Sequence, residues 1–345
     1  MEKGPEFRIV GDAPQEIKED VKKEHVGRFS EKHLKHLPKE WVEKLQQNEE
    51  EKDPRECALI TLADKETSER MKEAGVSPFR VPERNIHVVL DKIMNELGYG
   101  SYEGISMGEH QAIAINRGLI PKDNAVRFGL IVFHELMHLK GQTALETEIN
   151  AHDEKPRTTI YKKGVSIYPS QKKLSENDFY EYFRGLEEAI VSSEERRYYE
   201  KMLEDPSLHK EREWLKSKKA KQIKKKIGLK KSIDPEEITW LSEDGKDHGR
   251  FSYPKPYAVL LYVCEEIQKE FPQQYSSPEE VRKEFVKSQF TGRSSLIAKL
   301  IEKTFGEGNF RVLGTMDPHE ASATRMLELL RRARVRKIRG SNAVT

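Results

Sequence analysis

The sequence predicts an α+β protein: a small sheet with two long helices, the first of them apolar, followed by a C-terminal helical subdomain. Three observations predict it. Residues 124–140, Asn-Ala-Val-Arg-Phe-Gly-Leu-Ile-Val-Phe-His-Glu-Leu-Met-His-Leu-Lys, repeat apolar residues at spacings of three and four, as a buried helix does. Residues 111–116, Gln-Ala-Ile-Ala-Ile-Asn, form a short β-branched run bounded by turn residues. From 251 to 335 helical periodicity returns in successive segments divided by Pro and Gly.

Taken in order, residues 1–55 are polar, with His33, His36 and Trp41 among Lys and Glu, and read as a loosely packed helical extension. The acidic run 49–51 and the pair Asp53-Pro54 mark a boundary, after which residues 56–205 form a second region. Within it, 58–62 reads as a strand or short apolar helix, and 86–97 as an amphipathic helix stopped by Gly98. Asp123 or Asn124 can cap the helix at 124–140, and Gly141 stands where a left-handed stop belongs. Residues 143–154 are polar enough to read as a loop or short amphipathic turn, and 158–161 and 165–168, split by Lys-Lys-Gly, as a hairpin. A capping-box pattern at Ser175 and Asp178 opens a second helix reaching about Glu204, with Leu186, Ile190 and Val191 on its inner stripe. Residues 206–250 form a basic helical connector, and 251–345 the helical subdomain, with helices at 257–270, 278–288, 294–305 and 319–334. Asp234-Pro-Glu-Glu and Ser277-Pro-Glu-Glu are both helix starts.

The chemistry sits at His134-Glu135-Leu136-Met137-His138, an HExxH motif. Residues four apart share a helix face, so both imidazoles can reach one tetrahedral Zn2+, and Glu135 can meet a water there as general base. A histidine pair on so apolar a segment is costly without partners, which makes a metal the economical explanation.

A catalytic zinc needs a third protein ligand and an open fourth position. Leu186-Glu187-Glu188-Ala189-Ile190, on the second helix, resembles the Asn-Glu-Ala context that completes the site in the gluzincin, thermolysin-like metallopeptidases. The resemblance implies a zincin-like fold with a small sheet and a cleft against the C-terminal helices. It puts Glu188 in the ligand place, with the strand at 111–116 at a sheet edge where a peptide could add. Glu187 stands where that clan has Asn, and Ser192 where an acidic residue often orients the first histidine. Glu195, one turn further, could take that role through a water, or Glu194 and Glu195 could form a solvated face paired with Arg196 and Arg197. Glu146, Glu148 and His152 are the rival third ligands. For the donor that stabilises an oxyanion, Tyr253, His248 and His319 are candidates, with Tyr253 preferred.

Composition narrows the partners. Charged residues make up 35% of the chain, yet the formal net charge is only +2, so no global attraction to nucleic acid or membrane is expected. Cys57 and Cys264 are the only cysteines, lack metal-ligand spacing, and read as buried thiols of a reducing compartment. No apolar signal core follows the N-terminal charges and no run approaches the length of a spanning helix, so a cytoplasmic protein is expected. Residues 210–231 are densely basic and read as a solvated helical face. The expected activity is hydrolysis of a peptide or protein substrate. The alternatives are a nucleic-acid or membrane-surface binding protein with a structural zinc, and a non-catalytic peptidase-like regulator.

Overall fold

A computed structural model describes residues 7–27, 44, 48–108, 111–149, 156–168 and 181–342, and the architecture is α+β. The chain opens with β1 (Phe7–Val10) and α1 (Gln15–Gly27), so the N-terminal stretch contributes a strand as well as a helix. Next comes α2 (Pro54–Glu73), whose start is dictated by a capping box: Asp53 accepts from the Glu56 amide, Glu56 accepts from the Asp53 amide, and Pro54 fills the first turn. The apolar residues at 58–62 are therefore part of a helix of 20 residues, where Leu59 and Ile60 enter the core.

The segment read as one helix over 86–97 divides into β2 (Ile86–Val89) and the short α3 (Asp91–Glu96). The β-branched residues of β2 extend alongside a partner strand, and Gly98, at φ +81°, lies just beyond the helix. Then follow β3 (Gly104–Met107) and β4 (Ala112–Asn116), giving a three-stranded sheet in the order β2-β4-β3. β4 is wholly buried between two neighbours, so the sheet edge expected at 111–116 is held instead by β3, which runs antiparallel to it.

Helix α4 (Ala125–Lys140) packs against β3, β4 and α2. Beyond it β5 (Thr143–Ile149) replaces the expected polar loop, because its alternating side chains find a parallel partner in β1 and an antiparallel one in β6 (Pro156–Lys163). The hairpin at 158–168 forms as expected, with β7 (Ser166–Ile167) paired to β6 across Gly164 at φ +56°. Helix α5 (Arg184–Met202) begins later than its sequence pattern suggests; Ser175 and Asp178 lie outside the described residues.

The basic run divides into α6 (His209–Lys216) and α7 (Lys218–Lys231) at Ser217, whose hydroxyl caps α7. Asp234-Pro-Glu-Glu opens a single 3-10 turn, followed by a hairpin of β8 (Ile238–Leu241) and β9 (His248–Arg250). The C-terminal helices are α8 (Pro254–Glu270), α9 (Pro278–Thr291), α10 (Ser295–Phe305), the short α11 (Asn309–Leu313) and α12 (Glu320–Asn342). One hydrophobic cluster runs from Leu59 through Phe133 and Tyr198 to Val263, Phe285 and Leu330, so α8 and α9 share a core with α4 and α5. Phe133 and Tyr198 stack with ring centroids 4.2 Å apart, which fixes α5 against α4. Among the described residues no helix is long and apolar enough to cross a membrane.

Candidate metal centre

Helix α4 presents the motif from the middle of the core. Asn124 caps it by accepting from the Arg127 amide at 3.1 Å, and every residue from Ala125 to Lys140 except Arg127 is buried. The stop at Gly141 is not left-handed: its φ is −55°, and an added Cβ would lie 2.9 Å from Gln289 Nε2, so close approach of α9 is what favours glycine there.

His134 Nε2 and His138 Nε2 are 3.2 Å apart, and Glu188 Oε2 lies 3.3 Å from the first and 3.2 Å from the second. Ligand atoms held tetrahedrally at about 2.0–2.1 Å from an ion stand about 3.3 Å from one another, so the three atoms have the spacing of a coordination face. Their other contacts point the same way. His138 Nδ1 meets Glu187 Oε1 at 2.9 Å, and His134 Nδ1 meets Glu195 Oε2 at 3.3 Å. Ionised carboxylates only accept, so each neutral imidazole carries its proton on Nδ1 and turns an Nε2 lone pair toward Glu188. With both imidazoles neutral, three acceptors converge with no donor between them, an arrangement that a cation satisfies. Among the described residues, His134, His138 and Glu188 are the group able to hold a metal ion. Glu146 and Glu148 lie on β5 outside that group, and His152 falls outside the described residues.

The electrostatics follow from burial inside a ring of carboxylates. For His138, burial opposes the charged form, but Glu188 and Glu187 outweigh it and push the imidazole up to about 9. His134 is raised in the same way by Glu188 and Glu195 against burial. Glu188 is pulled below the usual carboxylate range: burial works against this, and the two imidazoles win. The cluster therefore favours positive charge at its centre, whether carried by protons or by a metal.

Glu187 and Glu195 hold positions that sequence reasoning assigned differently. Glu187 also accepts from the Ser166 amide at 3.0 Å and from Gln289 Nε2 at 3.2 Å, tying His138 to β7 and α9. Glu195 reaches His134 directly, without an intervening water, and Ser192 instead bonds Ser252 and Arg196. Glu194 and Glu195 are fully buried, and Glu194 is paired with Arg70, Arg197 and Arg282, so this face of α5 is not solvated. A signal for Glu195 was present in its spacing: seven residues from Glu188, it falls on nearly the same helical face. Nothing in the spacing singled out Glu187 as the partner of His138.

Glu135 lies under the edge strand: a Cβ on Gly104 would come within 2.5 Å of Ile131 Cγ2 and 3.0 Å of Glu135 Cγ, so only glycine lets β3 pass this close to the motif. Tyr253 caps α8 in the left-handed region, at φ +49°, and its ring stacks on His134 with centroids 5.9 Å apart. Holding a non-glycine residue there costs about 1–3 kcal/mol, which the surrounding packing must offset. The charge of Glu188, then burial and Glu135, raise the Tyr253 hydroxyl well above its ordinary range, so it remains a donor. Of the other oxyanion candidates, His248 stands on β9 beside Lys231, and His319 is exposed beside Asp317. Cys264 is buried, whereas Cys57 is partly exposed with its thiol against Glu83.

Compared with known proteins, the chain matches no family model, no curated protein and no solved structure.

Proposed function

We propose that the chain is a zinc-dependent peptidase with a zincin-like, gluzincin-type site, hydrolysing peptide bonds with Glu135 as general base. The observation that supports it best is the convergence of His134 Nε2, His138 Nε2 and Glu188 Oε2 at 3.2–3.3 Å, beside an acid on the same helical turn. Two imidazoles and a carboxylate suit zinc, which takes nitrogen and oxygen ligands in a tetrahedron and leaves a fourth position for chemistry. Zinc held there would act as a Lewis acid and lower the pKa of water.

The remaining steps belong to the chain. Glu187 and Glu195 fix the tautomers and orientations of the two histidines. Glu135 takes a proton from the attacking water and returns it to the leaving amine. Tyr253, kept protonated by Glu188, donates to the oxygen on which negative charge develops. Edge strand β3, whose outer side has no strand neighbour among the described residues, offers backbone groups to an extended peptide beside Glu135.

Metal stoichiometry and cleavage of an unbiased peptide library, measured together on wild-type protein and Glu135→Gln, test this reading. It predicts one zinc in both proteins and cleavage by the wild type alone. A protein that binds zinc and cleaves no peptide supports the structural-zinc alternative, in which exposed lysines of α7 such as Lys221, Lys225 and Lys226 meet an anionic partner.

A further inference from the structure

Lys163, the last residue of β6, is only 7% exposed, yet it has no carboxylate within ion-pair distance among the described residues. Its ammonium donates to Ser106 Oγ at 2.6 Å and reaches the Ser106 carbonyl at 3.5 Å. A buried ammonium without a counter-charge is expensive, and two neutral oxygens offset little of that cost. Burial lowers its pKa, and the charges of Glu187, Glu135 and Glu188 at the candidate metal centre, with Glu181, oppose that shift only in part. Lys163 is therefore within electrostatic reach of the HExxH motif.

The register of β3 places it there. Gly104 and Ser106 are two apart and share one face of the strand. Glu135 lies against Gly104 and Lys163 against Ser106, and a Cβ on Gly108 would come within 3.7 Å of the Lys163 ammonium. At about 3.3 Å per residue, general base and ammonium are separated by about 7 Å along the strand. That is the reach from a scissile bond to a charge one or two residues away in an extended peptide.

We propose that Lys163 docks a carboxylate of the substrate, so that the site selects peptides carrying a negative charge one or two residues from the scissile bond. The inference rests on the peptidase reading above and adds a substrate class to it. Either a free C-terminal carboxylate or an acidic side chain supplies this chemistry.

Binding to zinc-loaded Glu135→Gln protein, followed by calorimetry, separates these cases. The probes are N-acetyl-trialanine as the free acid, its C-terminal amide, and that amide with aspartate as the last residue. The free acid, the aspartyl amide or both should bind at least about tenfold more tightly than the plain amide, as a charge-assisted bond in a buried site requires. Whichever does so identifies the source of the carboxylate. Adding Lys163→Met should abolish the difference, and Lys163→Arg should retain it. The comparison among probes on protein with Lys163 intact stands even if the Met variant fails to fold. Equal binding of all three probes, with peptides still cleaved by the wild type, overturns the role of Lys163 and leaves the peptidase reading standing. Failure of the zinc-loaded wild type to cleave any peptide overturns both.

Discussion

Glu187→Gln removes one negative charge from beneath His138 while keeping the side chain's shape. In the native structure the carboxylate accepts from three donors: His138 Nδ1 at 2.9 Å, the Ser166 amide at 3.0 Å and Gln289 Nε2 at 3.2 Å. A glutamine has one accepting oxygen and an NH2 that only donates, so at least one buried donor loses its partner, at about 1–3 kcal/mol. If the oxygen stays on Ser166, His138 is no longer held with its proton on Nδ1, and its Nε2 becomes a poorer ligand. Loss of such a partner costs about 10–100-fold in metal affinity, equivalent to about 1.4–2.8 kcal/mol. Competition with a chromophoric zinc chelator measures this directly, with circular dichroism of the metal-free protein as the control for folding. Affinity within twofold of wild type in a folded variant would refute the argument that Glu187 orients His138.

Other perturbations read the same centre. Glu188→Ala leaves two histidines and should lose most bound zinc, whereas Glu188→Asp, with its carboxylate withdrawn by one methylene, should retain some; inductively coupled plasma analysis after gel filtration distinguishes them. Tyr253→Phe should keep the metal and lower kcat by about 100-fold if its hydroxyl donates to the oxyanion, and a change confined to KM would argue against that role. The pH dependence has opposite signs with and without metal. Zinc must displace the proton that Glu188 and Glu187, against burial, hold on His138 up to about pH 9, so apparent affinity should fall about tenfold per pH unit below that point for each proton displaced. In the metal-free protein the raised pKa stabilises the fold in full below the unfolded value of about 6.5. That contribution disappears as pH rises toward about 9, so the metal-free melting temperature should decline over this window.

How far the sequence was legible depended on whether information was local. The helix of HExxH, its Asn124 cap, the hairpin across Gly164 and the C-terminal helices each follow from short-range periodicity and turn chemistry. The i,i+4 spacing placed His134 and His138 on one face, and the context of Glu188 suggested the residue that lies 3.2 Å from His138. What escaped depends on partners distant in sequence. Thr143–Ile149 is a strand because β1, more than 130 residues earlier, lies alongside it with Phe7 opposite Thr143, and nothing within the segment announces that neighbour. Ile86–Val89 extends for the same reason, drawn out beside β4. Glu194 resembled a surface charge because charge alone does not reveal Arg70 and Arg282 arriving from α2 and α9 to bury it. Glu187 escaped because its bonds to His138, Ser166 and Gln289 form only once β7 and α9 pack against α5, and the burial of Lys163 escaped because Ser106, its partner, is 57 residues away in sequence.

The central claim is that His134, His138 and Glu188 hold one zinc and leave a position open. X-ray absorption at the zinc edge of the metal-loaded protein tests it most directly. The account predicts two imidazole nitrogens and one carboxylate oxygen, all at about 2.0–2.2 Å, with a remaining light ligand from solvent, and loss of the carboxylate contribution in Glu188→Ala. A spectrum unchanged in Glu188→Ala, or one requiring four protein ligands, would contradict it.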